Sequence, residues 1–198
     1  MNNSIVNYIF YSILIIFILY IAKVYLNSKE RDLVWVKSSV DGMVYKVQNR
    51  PDKLEAANML AKIRSKLMKL SIFLYKKYPN DKSSIRIIQK YMPDSIYESE
   101  PDSKQTSFSV NKGEKVIFCI RSKNKDNNLE DENTLTFVAL HELAHIMSKG
   151  WGHKTEFWQN FKFILKNSIE AGIYKYQNFK SKPVKYCGVD ITRSPYEI

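Results

Sequence analysis

All three histidines of the chain fall between positions 141 and 153. Two of them frame His141-Glu142-Leu143-Ala144-His145, an HExxH pattern inside the apolar run 136–144 (TFVALHELA). A helix places residues i and i+4 on one face, one turn apart, so both imidazoles can reach a single Zn²⁺ at roughly 2.0–2.1 Å. Leu140, Leu143 and Ala144 cover the other sides and predict a buried helix. Glu142 is next to the first ligand. From there it is badly placed to ligate, but well placed to take a proton from water activated by the metal.

A hydrolytic zinc site needs three protein ligands and one open position. His153 follows His145 by eight residues, after Lys149-Gly150-Trp151-Gly152. The glycines let the backbone reverse and return a side chain to the metal. His153 would then open a second helix, with Phe157 and Trp158 facing the core. The expected set is therefore His141, His145 and His153 as zinc ligands and Glu142 as catalytic base. An oxyanion donor is also expected; Tyr174, Tyr176, Tyr186 and Arg121 are unranked candidates. The alternative is a zinc site that only holds the fold of a non-enzymatic protein. Glu142 argues against it, because a structural site needs no general base.

The N-terminus carries a second constraint. Residues 2–22 contain no charged side chain, and 5–22 (IVNYIFYSILIIFILYIA) is long enough to cross a bilayer. Tyr8, Tyr11, Tyr20 and Tyr25 suit interfacial anchoring. A cleaved signal peptide fits less well, because the start lacks Lys and Arg and no small-x-small site precedes Lys23. Lys23, Lys29 and Arg31 follow the span and no basic residue precedes it, which predicts a cytosolic, or virion-interior, C-terminal side. The expected organisation is an anchor at 1–22, a linker at 23–32 and one domain at 33–198.

Composition limits the remaining classes. The chain has 198 residues, 44% hydrophobic and 26% charged, so it is neither disordered nor low-complexity. Two cysteines, Cys119 and Cys187, exclude a disulfide-rich mini-fold and a Cys₄ zinc finger. In a cytosolic domain they are expected as reduced, buried thiols. The formal charge is +11, almost all of it from lysine rather than arginine. That permits a nucleic acid or an anionic membrane as partner without selecting either.

Along the domain, 34–36 and 43–47 read as strands around Asp41-Gly42, a hairpin turn. Asp52 and Glu55 resemble a capping box opening a helix to about Tyr78. Its apolar stripe is Ala56, Leu60, Ile63, Leu67, Leu70 and Leu74. Its other side carries Lys62, Lys66, Lys69, Lys76 and Lys77, a basic face able to meet phosphates, lipid headgroups or simply solvent. The segment 85–91 is ambiguous and 94–105 reads as loop. A second hairpin joins 106–110 to 115–121 across Asn111-Lys112-Gly113. Helices are expected from Asn133 or Thr134 and from Lys154 to Ala171, where Gly172 can stop the second. With no βαβ alternation visible, the expectation is an α+β domain with a small antiparallel sheet.

These residues resemble the WLM and SprT-like group of zincin metallopeptidases. The resemblance rests on FVALHELAH and on Gly152, His153 and Phe157 as GHxxxF, and the segment 183–188 (PVKYCG) looks like members of this group in large DNA viruses. It implies a zincin-like fold, Zn²⁺ on His141, His145 and His153, catalysis by Glu142, and protein substrates that are associated with or crosslinked to DNA. The combined expectation is a membrane-anchored zinc metalloprotease.

Overall fold

The structure is a computed structural model, which describes residues 3–197. Helix α1 (Asn3–Arg31) leads into strands β1 (Leu33–Lys37) and β2 (Val44–Gln48), then helices α2 (Lys53–Lys77) and α3 (Lys82–Lys90). Three short strands follow, β3 (Ile96–Glu98), β4 (Phe108–Val110) and β5 (Lys115–Phe118). Helices α4 (Glu132–Met147) and α5 (Thr155–Glu170) precede a terminal hairpin of β6 (Val184–Tyr186) and β7 (Val189–Ile191).

The class is α+β, but the main sheet is larger than expected and mixed. Its order is β1-β2-β3-β5-β4, with β2–β3 and β3–β5 parallel and the two hairpins antiparallel. The parallel pairing arises because α2 and α3 carry the chain back across the sheet between β2 and β3. This crossover escapes the sequence because β3 is only three residues long and lies in the polar stretch read as loop. So short a strand shows almost no alternation.

Alternation along the strands turns Tyr45, Val47, Ile96, Val116 and Phe118 into the core beneath the helices. The whole expected stripe of α2 is buried against them. Each fully buried leucine or isoleucine contributes about 1.5–3 kcal/mol. The ambiguous segment 85–91 is helical because Asp81 caps α3, its carboxylate accepting from the Ser84 N–H at 2.7 Å. Gly172, at φ +66, ends the last helix as expected.

Three local expectations are corrected. The Asp52 side chain makes no capping hydrogen bond to α2; its carboxylate pairs instead with Arg121, at 2.5 Å. Trp158 does not enter the core and is 45% exposed, while Phe157 is buried. Cys119 and Cys187 are not free thiols but a disulfide, tying the terminal hairpin to the end of β5 across 68 residues. The pairing is tertiary: the β6–β7 turn at Cys187 and Gly188, both at positive φ, brings the second sulfur back to the first.

The N-terminal helix is long and apolar enough over Asn7–Leu26 to cross a membrane, and its side chains there are not buried by the protein. It stays helical to Arg31, so most of the stretch read as linker is helix and only Asp32 separates it from β1. Residues 1 and 2 of the expected anchor, and 198 of the domain, lie outside the described residues.

Candidate metal centre

Helix α4 begins at a well-formed cap. The Asp131 carboxylate accepts from the Thr134 N–H at 2.8 Å and from the Thr134 hydroxyl at 2.9 Å. The helix is buried on nearly every side, with Leu140, Leu143 and Ala144 at most 1% exposed. His141 and His145 share the one face that looks into a cleft. His153 comes to the same point from the loop between α4 and α5. Its Nε2 lies 3.0 Å, and that of His145 3.2 Å, from His141 Nε2.

These three imidazoles offer ligand atoms that all lie within 4.8 Å of one another. Burial, then the neighbouring histidines, lowers the pKa of His141 to about 3; burial, then His153 and Lys112, lowers that of His145 to about 4. Both rings are therefore neutral at physiological pH, and lone pairs are available to a cation. Three such nitrogens aimed at one another suit a divalent metal better than they suit each other. The donor set fits Zn²⁺, with the cleft supplying an open side.

Phe157 forms the floor of the site. Its ring centroid lies 4.8, 4.3 and 4.7 Å from those of His141, His145 and His153. Trp158 stands beside His153 at 5.7 Å. Glu142 is 4% exposed and borders the cleft. Burial pushes its carboxyl up to about 7, with hydrogen bonds from Ser109 on the sheet's edge strand β4 pulling the other way. A carboxylate so placed exchanges protons readily near neutral pH.

The loop that delivers His153 is held by opposite charges. The Lys112 ammonium donates to the carbonyls of Ser148, Lys149 and Gly150, at 2.6 and 3.0 Å for the first two. The Glu156 carboxylate accepts the N–H groups of Lys149 and Gly150 at 2.9 and 3.1 Å. Lys112 is aimed there by the β4–β5 turn, in which Asn111, Lys112 and Gly113 all have positive φ. Sequence reasoning saw this turn but not its target, because nothing in the local pattern relates residue 112 to residue 148.

The cleft has a volume of about 970 Å³ and is mostly apolar, with Phe108, Phe137, Trp151 and Trp158 among its walls. The terminal hairpin and the stretch 192–195 close one side of it. Of the four oxyanion candidates, only Tyr186 lines the cleft. Its hydroxyl is engaged by Ser107 and by the Cys119 carbonyl. Tyr174 is buried against Phe137, and Tyr176 meets Tyr196. Arg121 is removed from the site: it is 3% exposed and paired with Glu98 at 2.8 Å and with Asp52. A residue deep in a two-carboxylate pair is easily mistaken in sequence for a free cation.

The basic face of α2 is also partly committed. Lys62 and Lys66 pair with Glu132 at 3.0 and 2.8 Å, and Lys77 pairs with Glu170 at 2.5 Å. Lys69 and Lys76 are exposed.

A family model described as the WLM domain matches residues 40–195. The "Uncharacterized protein R325" of Acanthamoeba polyphaga mimivirus is 36% identical over 161 residues, covering 79% of this chain and 81% of that protein. The "Uncharacterized protein 136R" of Invertebrate iridescent virus 6 is 39% identical over 69 residues, 34% of this chain and 38% of that protein. Among solved structures, the crystal structure of Wss1 from Saccharomyces cerevisiae aligns with a TM-score of 0.48 at 18% identity, covering 64% of this chain and 86% of that one.

Proposed function

The chain belongs to the WLM family, a zincin-like peptidase family, and from that premise we propose that it is a membrane-anchored zinc endopeptidase. The observation that carries the reading is the convergence of His141, His145 and His153 beside the buried carboxyl of Glu142, on the wall of an open cleft. His141, His145 and His153 would hold the metal. Bound there, Zn²⁺ would acidify a water toward a pKa of about 7 and polarise a peptide carbonyl.

The chain's own residues account for the rest. Glu142 accepts the proton of the attacking water and passes it to the nitrogen of the leaving amine. Ser109 hydrogen-bonds the Glu142 carboxyl and so orients it. Phe157 supports all three imidazoles from below, which restricts their rotation. The apolar cleft walls bind the flanks of an extended peptide and exclude bulk water.

The substrate is a protein. Family likeness supports DNA-associated or DNA-crosslinked proteins, and the cationic chain permits a nucleic acid as cofactor of recognition. The apolar helix supports an anchored enzyme whose domain works close to a membrane. Purified, zinc-loaded protein is assayed on a DNA-binding protein with and without single-stranded DNA, with Glu142→Gln as control. Glu142-dependent cleavage that DNA stimulates supports the full reading. Cleavage indifferent to DNA removes the nucleic acid and keeps the protease. Zinc binding with no Glu142-dependent cleavage of any protein leaves a structural metal site.

The basic residues after the apolar helix support a domain on the cytosolic side. A second reading is favoured by the Cys119–Cys187 disulfide, a bond that persists in oxidising compartments. Maleimide labelling of sealed membranes, lysed with and without reductant, separates the two. Labelling only after reduction supports the oxidising side; labelling without it supports the cytosol.

A further inference from the structure

The helices cover one face of the five-stranded sheet; on the other, Trp35 is exposed and Lys46, Tyr97, Phe108 and Ile117 are half-exposed. On that outer face a single row of paired residues crosses every strand. Trp35 pairs with Lys46, Lys46 with Tyr97, Tyr97 with Ile117, and Ile117 with Phe108. Trp35 is 62% exposed, and its ring meets Tyr97 edge-on at 6.1 Å. Lys46 Nζ lies 6.0 Å from the Trp35 ring. Lys37, Val44 and Lys115 flank the row and are exposed, and Glu100 borders it at one side. A solvated sheet face ordinarily alternates to polar residues. This one carries Trp, Tyr, Ile and Phe among lysines, the composition of a membrane interface.

Chain connectivity says which surface is near. The apolar stretch of α1 ends at Leu26, and β1 starts at Leu33. The six residues between them span roughly 9 Å as helix. The headgroup layer on each side of the hydrocarbon is about 5–8 Å thick. Strand β1, which bears Trp35, therefore begins close to the boundary between lipid and water.

We propose that the open sheet face docks on the headgroup surface of the membrane that α1 spans, with Trp35 and Tyr97 in the interface and Lys37, Lys46 and Lys115 against anionic lipid phosphates. The proposal rests on the anchored reading above. It also sharpens the substrate. Phe108 borders both this face and the cleft, across the edge strand β4. A docked domain opens its cleft just above the lipid surface, where the peptides within reach are membrane-proximal segments of other proteins.

The test uses the full chain reconstituted into vesicles of phosphatidylcholine and phosphatidylserine, with plain lipids or lipids brominated near the headgroup. Flotation of the vesicles reports the anchor. The emission lost in Trp35→Phe isolates Trp35 from Trp151 and Trp158. Docking predicts that bromine quenches this difference emission. It also predicts that Lys46→Glu with Lys115→Glu removes roughly half of the quenching or more, while flotation and far-UV circular dichroism stay unchanged. Difference emission that bromine leaves untouched in floating vesicles overturns the docking and spares the anchor. Protein that does not float overturns the anchor and the docking with it. Quenching of Trp35 by a single-stranded oligonucleotide, with none by bromine, overturns the proposal in favour of a nucleic-acid platform. Quenching that survives both charge reversals overturns the role of the lysines.

Discussion

The Lys112 ammonium sits 2.6 Å from the carbonyl oxygen of Ser148, the residue that ends the helix bearing His141 and His145. It also holds the next two carbonyls, on the way to His153. A cation at a helix C-terminus satisfies orphan carbonyls and opposes the helix dipole. Here it also fixes the distance between two histidines on a helix and a third on a loop. Lys112→Met is expected to weaken Zn²⁺ binding by about tenfold, as loss of outer-shell support does elsewhere. Competition against a chromophoric chelator measures this, and an unchanged affinity would remove Lys112 from the site's support.

Glu142→Gln keeps the shape of the side chain and removes its basicity. Peptide hydrolysis should fall by roughly 10²–10⁴-fold, with zinc affinity preserved. Paired zinc titrations and cleavage assays decide it. Equal loss of metal and activity would make Glu142 a structural residue.

Gly113 has φ +113, and an added Cβ would come within 2.5 Å of the Lys90 carbonyl oxygen. The Lys90 backbone and, at 3.2 Å, the Ile146 side chain block relief. Gly113→Ala is expected to destabilise by about 1–3 kcal/mol from the backbone conformation alone, and by more from the clash. Because the same turn aims Lys112, zinc affinity should fall with it. Chemical denaturation read by circular dichroism gives the first quantity; native-like stability would refute the steric argument.

The disulfide closes a long loop and holds the hairpin that walls the cleft. Reduction, or Cys187→Ser, is expected to lower stability by about 2–4 kcal/mol. It should also raise the KM for peptides more than it changes kcat, because the wall moves and the histidines do not. Thermal melts with and without reductant test the first part, and steady-state kinetics the second.

Glu98 is 1% exposed and depends on Arg121 and the Gln48 N–H for its charge. Arg121→Gln would leave that carboxylate buried without a cation, at about 3–5 kcal/mol near neutral pH. Burial already pushes Glu98 above its ordinary value, so the penalty should shrink on acidification as it takes a proton. Asp52 works in the opposite sense. Arg121 holds its carboxyl below the ordinary 3.8, so the folded state binds that proton less readily than the unfolded one. Its contribution is present above pH 3.8 and lost as pH falls through the depressed value. Denaturation curves of wild type and variant at several pH values should converge toward acid. Parallel curves would mean that Glu98 does not carry the penalty.

Much of the centre was legible without coordinates because its spacing is a helical property. His141 and His145 meet through the pitch of α4, Glu142 follows from adjacency, and the buried stripe of α2 follows from its period. His153 was legible because Gly150 and Gly152 let the chain turn back within eight residues of His145. Trp158 was misjudged because a helix start fixes which residues share a face but not which face the domain covers.

The chain alone thus determined α1, α2, α4 and α5, the β1–β2 and β4–β5 hairpins, the apolar N-terminal stretch and the three-histidine pattern, since each is written in patterns of a few residues. Tertiary structure decided the mixed sheet, the Cys119–Cys187 bond, the burial of Arg121 between two carboxylates and the hold of Lys112 on the loop that carries His153. Those relationships join residues 20 to 69 positions apart. At that separation no backbone period links the partners, and only the packed core brings them into contact.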